Sequence, residues 1–290
     1  MPVSMDCILC LLRQSLEAAR FASSDTKIHQ AVIQNGMEKV LQFGLETPPP
    51  VIGQQIHRII RELTNNPDPY AKEKKRFNIA MLEQYDALKK RIQEADDSFD
   101  SAVRIAIAGN IIDFALGNLD QNHVNDVIEK AIHQPINGSM NDLKEAVQKA
   151  ETIFYLADNS GEIVCDRLMI ELLLSETYRK KIVLGVRGKP IINDATAQDA
   201  DFVGLSRIVP VIDNGNDGLG VMLEQCSPEF LDHFQNADLI IAKGLANYET
   251  LIENNLDIKP KKIAFLFKAK CPFISDYASA KLGDLVIRIV

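Results

Sequence analysis

Tryptophan is absent from the 290-residue chain and aromatic residues make up only 6% of it, so the stacking platforms on which single-stranded nucleic acids lie are poorly supplied. Positive charge is also in deficit. Lys and Arg number 32 against 40 Asp and Glu, a formal net charge of −8 with a pI near 5.2, which excludes a global attraction to nucleic acid or to an anionic membrane. Any anionic substrate must be held by local chemistry. No apolar run approaches the roughly 20 residues of a membrane-spanning helix, and the opening Met1-Pro2-Val3-Ser4 lacks the basic and apolar regions of a secretory signal. The expectation is a cytoplasmic protein with no nucleic-acid or membrane partner. Its five cysteines are an odd number for a long chain without an export signal, which argues for reduced thiols over a disulfide framework. What is present, 46% hydrophobic and 25% charged residues, suffices for one large core or two modest ones.

From the N-terminus to about Lys149 the apolar residues recur at helical spacing: Ile8, Leu11, Leu12 and Leu16; Val32, Val40 and Leu41; Ile52, Ile56, Ile59, Ile60 and Leu63; Met81, Leu82 and Leu88. Breaks are expected at Ser23-Ser24-Asp25, at Thr47 to Pro50 and at Asn65 to Pro69, where turn formers meet residues that cannot continue a helix. A further helix is expected from Phe99 to Leu116. Beyond residue 150 short β-rich runs take over: Thr152 to Ala157, Lys181 to Val186, Arg207 to Ile212, Asp238 to Ala242, Lys261 to Phe267 and Asp284 to Val290. They alternate with amphipathic stretches such as Ile163 to Leu174 and Glu229 to Phe234, which implies parallel βαβ units with strands covered on both faces. The expected fold class is α/β: a mostly helical domain over 1–150, then a Rossmann-like three-layer α/β/α domain over 151–290 with a mostly parallel sheet.

In an open parallel sheet, ligands bind beyond the carboxyl ends of the strands. The polar clusters fall there in succession: Asp158 to Glu162, Gly188 to Thr196, Asp213 to Gly220, Lys243 to Glu249 and Lys268 to Cys271. Carboxylate and carboxamide oxygens suit Mg²⁺ or Mn²⁺, and lysines on the same rim neutralise phosphate oxygens, so the combination suggests phosphoryl chemistry. Each cluster has a plainer alternative. Asn159 and Glu162 have capping-box spacing, Asp194 has the character of a helix cap, and the glycine-rich 213–220 run is either a turn or a phosphate loop without a Walker lysine. Lys268 and Lys270 share a strand face and are either solvated or substrate-facing.

Cys7 and Cys10 share one face at the front of a helix, half of a zinc site, and Cys271 offers a third thiolate; the alternatives are buried structural thiols or a second metal or redox site. Cys165 and Cys226 read as core residues. The five histidines show no metal spacing, and Ser160 lacks a nucleophile elbow and a histidine partner, which disfavours serine hydrolase chemistry.

Taken together, Cys7-Ile8-Leu9-Cys10, Gly109-Asn110-Ile111-Ile112-Asp113-Phe114, Asp158-Asn159-Ser160-Gly161-Glu162, Lys189-Pro190 with Asn193 to Thr196, Lys243-Gly244 with Asn247-Tyr248-Glu249, and Phe267 to Cys271 resemble the metal-dependent damage-control phosphatase family, long catalogued as a domain of unknown function. The resemblance covers nearly the whole chain. It implies hydrolysis of phosphate monoesters of small metabolites, such as sugar phosphates and damaged nucleotides or cofactor intermediates, with a divalent Mn²⁺, Ni²⁺, Co²⁺ or Mg²⁺ ion. By the same resemblance Asp158, Asn159 and Asp194 are the metal ligands, Asn247 and Glu249 contact substrate, and Lys268 engages the phosphate, with Asp158 and Lys268 catalytic. Phe265-Leu266-Phe267-Lys268 stands where the eukaryotic branch has Arg-Thr-x-Lys, and the paired cysteines with Lys270-Cys271 resemble the branch common in prokaryotes. Two rival readings are an S-adenosylmethionine-dependent methyltransferase, suggested by the glycine-rich 213–220 run, and a non-enzymatic metal-binding module built on the cysteines.

Overall fold

The computed structural model describes residues 4–44, 46–110, 121–253 and 262–290. The helical breaks fall where turn chemistry puts them. Helix α1 (Met5–Ala22) starts at Ser4, whose hydroxyl accepts the Asp6 N–H, and α2 (Thr26–Phe43) starts at Asp25, whose carboxylate accepts the Lys27 N–H. A proline occupies the first turn of α3 (Pro49–Thr64), which ends at Asn65 in the left-handed region. Helices α4 (Ala71–Glu94) and α5 (Ser98–Gly109) follow, the latter capped by Asp97. The expected continuation of α5 to Leu116 and the Ile111 to Phe114 part of its motif lie outside the described residues. Helix α6 (Gln121–His133), the two-residue strand β1 (Ile136–Asn137) and α7 (Met140–Lys149) complete this part of the chain.

The remaining chain alternates β2 (Thr152–Leu156), α8 (Glu162–Leu174), β3 (Lys181–Val186), α9 (Ala197–Phe202), β4 (Val211–Asp213), α10 (Pro228–Asn236), β5 (Leu239–Lys243), α11 (Gly244–Leu251), β6 (Ile263–Lys268), α12 (Pro272–Tyr277) and β7 (Leu285–Ile289). One seven-stranded sheet results, in the order β1-β7-β6-β5-β2-β3-β4, with only the β6–β7 pair antiparallel. Strand β4 begins four residues later than expected. Leu205 to Arg207 form a 3₁₀ turn instead, and Pro210 has no N–H to give a ladder, so pairing starts at Val211. The β1 strand is too short to show a period in sequence.

Both faces of the sheet are covered. Along β2, Ile153 and Tyr155 join an apolar cluster with α4, α5, α7 and α8, while Phe154 and Leu156 join a second one with α10, α11 and α12. This is the alternation a strand buried on both faces requires. Phe154 meets Phe230 edge-on at 4.9 Å. A third cluster, built on Leu11, Ala18, Val32, Ile52, Ile56 and Ile60, holds α1, α2 and α3 together.

Helix α3 is also tied to the sheet by charge. Asp217 receives Arg58 at 2.5 Å, Gln54 at 2.9 Å and Arg61, and Arg61 also donates to the Pro190 carbonyl. Burial alone would raise the Asp217 pKa; the two guanidiniums and the Gln54 amide outweigh it and hold it at about 2. The loop from Asp213 to Gly220 is pinned as a result, and three of its backbone amides are occupied by its own side chains: Gly215, Asn216 and Gly218 donate to Asp213, Asn214 and Asn216. It is a turn, with these three N–H groups turned inward.

His57 lies buried on α3, where desolvation and the nearby Arg61 push its pKa down to about 4, against a smaller pull from Asp217. A folded-state pKa below the unfolded value of about 6.5 contributes stability that is complete above pH 6.5 and lost as pH falls through 4, worth about 3 kcal/mol in full. The wild-type urea midpoint should fall between pH 7 and pH 4, and His57→Phe should flatten that slope; an unaltered slope would count against a neutral buried imidazole.

Candidate active site

Strand β2 connects to β3 on one side and lies against β5 on the other, so the strand order reverses between β2 and β5. A crevice beyond the carboxyl ends is expected at such a point, and β2 through β6 all run parallel, which brings their tips to one edge. Two tips are stitched together by backbone. Asn159 and Asp194 form an antiparallel bridge, Ser160 N–H donates to Asn193 O at 2.8 Å, and Ala195 N–H donates to Asp158 O at 2.8 Å. Asp158 and Asp194, 36 positions apart in sequence, therefore face one site, each at least nine-tenths buried.

Neither residue is a helix cap. The N-cap of α8 is Gly161, with no side-chain capping bond, and α9 is capped by Thr196 in a reciprocal box with Asp199. What lies between the aspartates is Arg187, only 2% exposed. Its Nε donates to Asp194 Oδ2 at 2.7 Å, and its Nη2 donates to Asn247 Oδ1 at 3.2 Å and stands 3.7 Å from Asp158 Oδ1. Asn247 in turn donates to the carbonyls of Ala157 and Lys243 at 3.2 and 2.8 Å. It is wholly buried and ties the β2, β3 and β5 tips together.

Beneath Asp158 the charges continue inward. Lys243 Nζ, fully buried, donates to Glu162 Oε1 at 2.8 Å, Asp166 Oδ1 at 2.5 Å and the Ala106 carbonyl at 2.7 Å. The sequence places this lysine at a strand tip; the structure turns it under the rim and away from solvent. Burial would lower its pKa, but the two carboxylates outweigh that and raise it. Asp166, which also accepts the Tyr155 hydroxyl at 2.7 Å, is raised to about 6 by burial. Asp158 is pushed well above the usual carboxylate range by burial, then by the negative charges of Glu162 and Asp194, against the relief of Arg187 and Lys270. Burial raises Asp194 as well, with Arg187 opposing. Four carboxylates and two cations in one buried group leave two surplus negative charges when all are ionised.

The donor chemistry of this arrangement suits a divalent cation. Asp158 Oδ2 accepts from Asn110 and Asn159, Asp194 Oδ2 accepts from Arg187, and the Asn159 amide nitrogen is directed at carboxylates. Oδ1 of Asp158, which has only the Arg187 charge at 3.7 Å, and Oδ1 of Asn159 and Asp194 are all hard donors. Among the described residues no group of three or more His, Cys, Asp and Glu side chains is set to hold an ion, and this set has a carboxamide as its third member.

Other expected residues fall around the rim. Lys268 is half-buried at the end of β6, its pKa lowered by burial and by Lys270 and Lys130, while the exposed Lys270 is the one whose charge bears on Asp158. Glu249 is raised to about 7 by burial and lies within electrostatic reach of Cys10 and Cys271, which also feel Cys7. The three cysteines thus come together at one corner as free thiols, and burial raises Cys10 and Cys271 further into the neutral form. Sequence reasoning passed over Arg187 and Asn78. Asn78, on α4, accepts the Gly161 N–H at 2.6 Å and donates to Asp199 at 2.9 Å, with Lys74 beside Asp199 at 3.2 Å.

A family model described as the damage-control phosphatase ARMT1-like domain matches residues 3–286. The chain is 36% identical to an uncharacterized protein of Methanocaldococcus jannaschii, with 98% of this chain and 94% of that protein covered. It is 32% identical to a damage-control phosphatase of Pyrococcus horikoshii (99% and 97% covered) and 30% identical to one of Archaeoglobus fulgidus (100% of both). A crystal structure of a DUF89 family protein from Pyrococcus horikoshii matches with a TM-score of 0.89 and 31% identity, covering 99% of this chain and 98% of that one.

Removing one partner of a buried charge pair leaves the others uncompensated, at a cost of about 3–5 kcal/mol. Lys243→Met should lower stability by about that amount in urea titrations at neutral pH. A loss below about 1 kcal/mol would mean that Glu162 and Asp166 do not depend on the lysine.

Proposed function

The chain belongs to the ARMT1-like damage-control phosphatase family and is a phosphatase, and from this we propose that it is a cytoplasmic enzyme hydrolysing phosphate monoesters of small metabolites, such as sugar phosphates and damaged nucleotides or cofactor intermediates, with a divalent ion held at the β2 and β3 tips. The observation that carries the reading is the buried surplus of negative charge around Asp158 and Asp194, next to lysines on the same rim. A net charge of −8 disfavours polyanions and leaves a small ester as the anion that local cations can hold. Among the described residues no helix is long and apolar enough to cross a membrane.

Asp158, Asn159 and Asp194 would hold the ion, each offering a side-chain oxygen. When bound, a divalent ion of the Mn²⁺, Ni²⁺, Co²⁺ or Mg²⁺ type polarises a phosphoryl oxygen and makes bound water more acidic. Arg187, between the two carboxylates, keeps Asp194 and Asp158 in place. Lys268 and Lys270 approach from β6 and its tip and offset charge on the phosphoryl oxygens that the ligand set does not reach. The lowered pKa of Lys268 reflects a cation already crowded by like charge and burial, and such a group gains when a phosphate dianion arrives. Glu249 and Asn247 border the same edge, Asn247 as a tie between strand tips and Glu249 toward the cysteine corner.

A panel of phosphate monoesters, including a generic aryl phosphate, assayed with each divalent metal in turn should show hydrolysis that chelation abolishes. Asp158→Asn should reduce kcat/KM by about 10²–10³-fold, with Asp194→Asn comparable. Full metal-dependent hydrolysis by folded Asp158→Asn would refute the ligand set, and turnover insensitive to chelation would refute the metal.

A further inference from the structure

We infer that Asn110, delivered by the helical part of the chain, is a positioning residue of the metal and phosphate site: its side-chain amide bridges Asp158 and Glu162 and determines which oxygen of Asp158 is presented to the ligand. The inference rests on Asp158 being a metal ligand as proposed above.

A carboxamide nitrogen carries two hydrogens. Asn110 Nδ2 gives one to Asp158 Oδ2 at 2.9 Å and the other to Glu162 Oε2 at 2.7 Å. Asn159 Nδ2 reaches the same two oxygens at 2.8 and 3.3 Å. Two amides and two carboxylates thus close a four-membered ring in which each of the two oxygens receives a pair of N–H donors. Glu162 is fixed from its other oxygen by Lys243, itself held on Ala106 and Asp166. The ring is therefore anchored at Glu162 and holds Asp158 at Oδ2, so that Oδ1 is the oxygen presented. It also sets the Asn159 carboxamide with nitrogen inward and Oδ1 away from Glu162.

The backbone leaves little freedom in this. Asn110 follows directly on α5, and a Cβ on the preceding Gly109 would stand 3.2 Å from Glu162 Cα and 3.1 Å from Cys165 Cβ. The end of α5 thus meets the start of α8 at contact distance, and the Asn110 side chain is delivered onto Glu162 and Asp158. On the opposite side Gly244, at φ +77°, would place a Cβ 1.8 Å from Asp158 Oδ2, so that oxygen sits in a space cleared for it. Asn110 is itself buried, and replacing its amide with a smaller group withdraws half of the donors in the ring.

The test is calorimetric titration of Mn²⁺ into the full chain, wild type and Asn110→Ala, with thermal melting of the metal-free proteins and aryl phosphate kinetics at saturating Mn²⁺. Loss of an outer partner of a metal ligand weakens metal binding by about 10–100-fold, and that increase in Kd is the expected result. The KM for the aryl phosphate at saturating metal should stay within about twofold, since Asn110 acts through Asp158. A residue with a merely structural role would lower the melting temperature without moving the Kd of the folded protein. Should Asn110→Ala not fold, Asn110→Ser, a small polar group whose hydroxyl ends one bond short of the amide nitrogen, also withdraws the bridge and should raise the Kd by about 10-fold or more. A Kd within about twofold of wild type in the folded variant overturns the inference and leaves the phosphatase reading intact. A wild-type chain that neither binds Mn²⁺ nor hydrolyses the ester overturns both.

Discussion

Asp158, Glu162, Asp166 and Asp194 are all buried beneath the strand tips, and an ionised carboxylate in such surroundings is costly unless it is paired and hydrogen-bonded. Much of the local structure answers to that constraint. Lys243 is drawn under the sheet edge to meet Glu162 and Asp166, and Arg187 is buried to span Asp194 and Asp158. The two cations do not complete the neutralisation, and burial, then the charges of Glu162 and Asp194, push the Asp158 pKa upward. A site left short of positive charge in this way suits the divalent ion proposed above, with the lysines at the rim placed for the anion of the proposed ester.

The helical part of the chain serves the same end mechanically. Helix α3 clamps Asp217 and the Pro190 carbonyl, which anchors the β3 and β4 tips. Helix α4 supplies Asn78 to the Gly161 amide, and α5 supplies Asn110 to Asp158 and Glu162. Three successive helices thus hold the tips of β2, β3 and β4 between them. Loops bearing hard ligands would otherwise be the most mobile parts of such a fold, and ligand geometry depends on partners beyond the ligands themselves.

The strand tips were legible in the sequence because the apolar runs of β2, β3, β5 and β6 have clear ends, and a parallel sheet puts all those ends on one edge. That reasoning located Asp158 and Asp194 together. It left open whether Asn159, with Glu162, and Asp194 cap helices, and only the caps at Gly161 and Thr196 and the backbone bridge between Asn159 and Asp194 decide it. Arg187 escaped, and the burial of Lys243 went unseen, for a different reason. A single basic residue at the end of an apolar run has no periodicity, and whether it lies in solvent or under a sheet depends on carboxylates that are distant in sequence. Lys268 and Lys270 show the same limit: strand spacing gives them one face, and the fold decides that Lys270 acts on Asp158. The late start of β4 was local chemistry misread, since Pro210 within an apolar run already withholds a ladder donor.

The bridge between Asp158 and Glu162 is made of amides where a cation would also have satisfied the oxygens. The choice has an electrostatic consequence. An arginine or lysine in place of Asn110 would pair both carboxylates and remove one of the two surplus negative charges on which attraction for a divalent ion depends. Carboxamides supply hydrogen bonds of the same geometry and no net charge, so the carboxylates stay apart and oriented while the site stays negative. The same logic separates the roles of Arg187 and Lys243 from that of Asn110: the cations make the burial of four carboxylates tolerable, and the amides keep what charge remains directed at Oδ1 of Asp158.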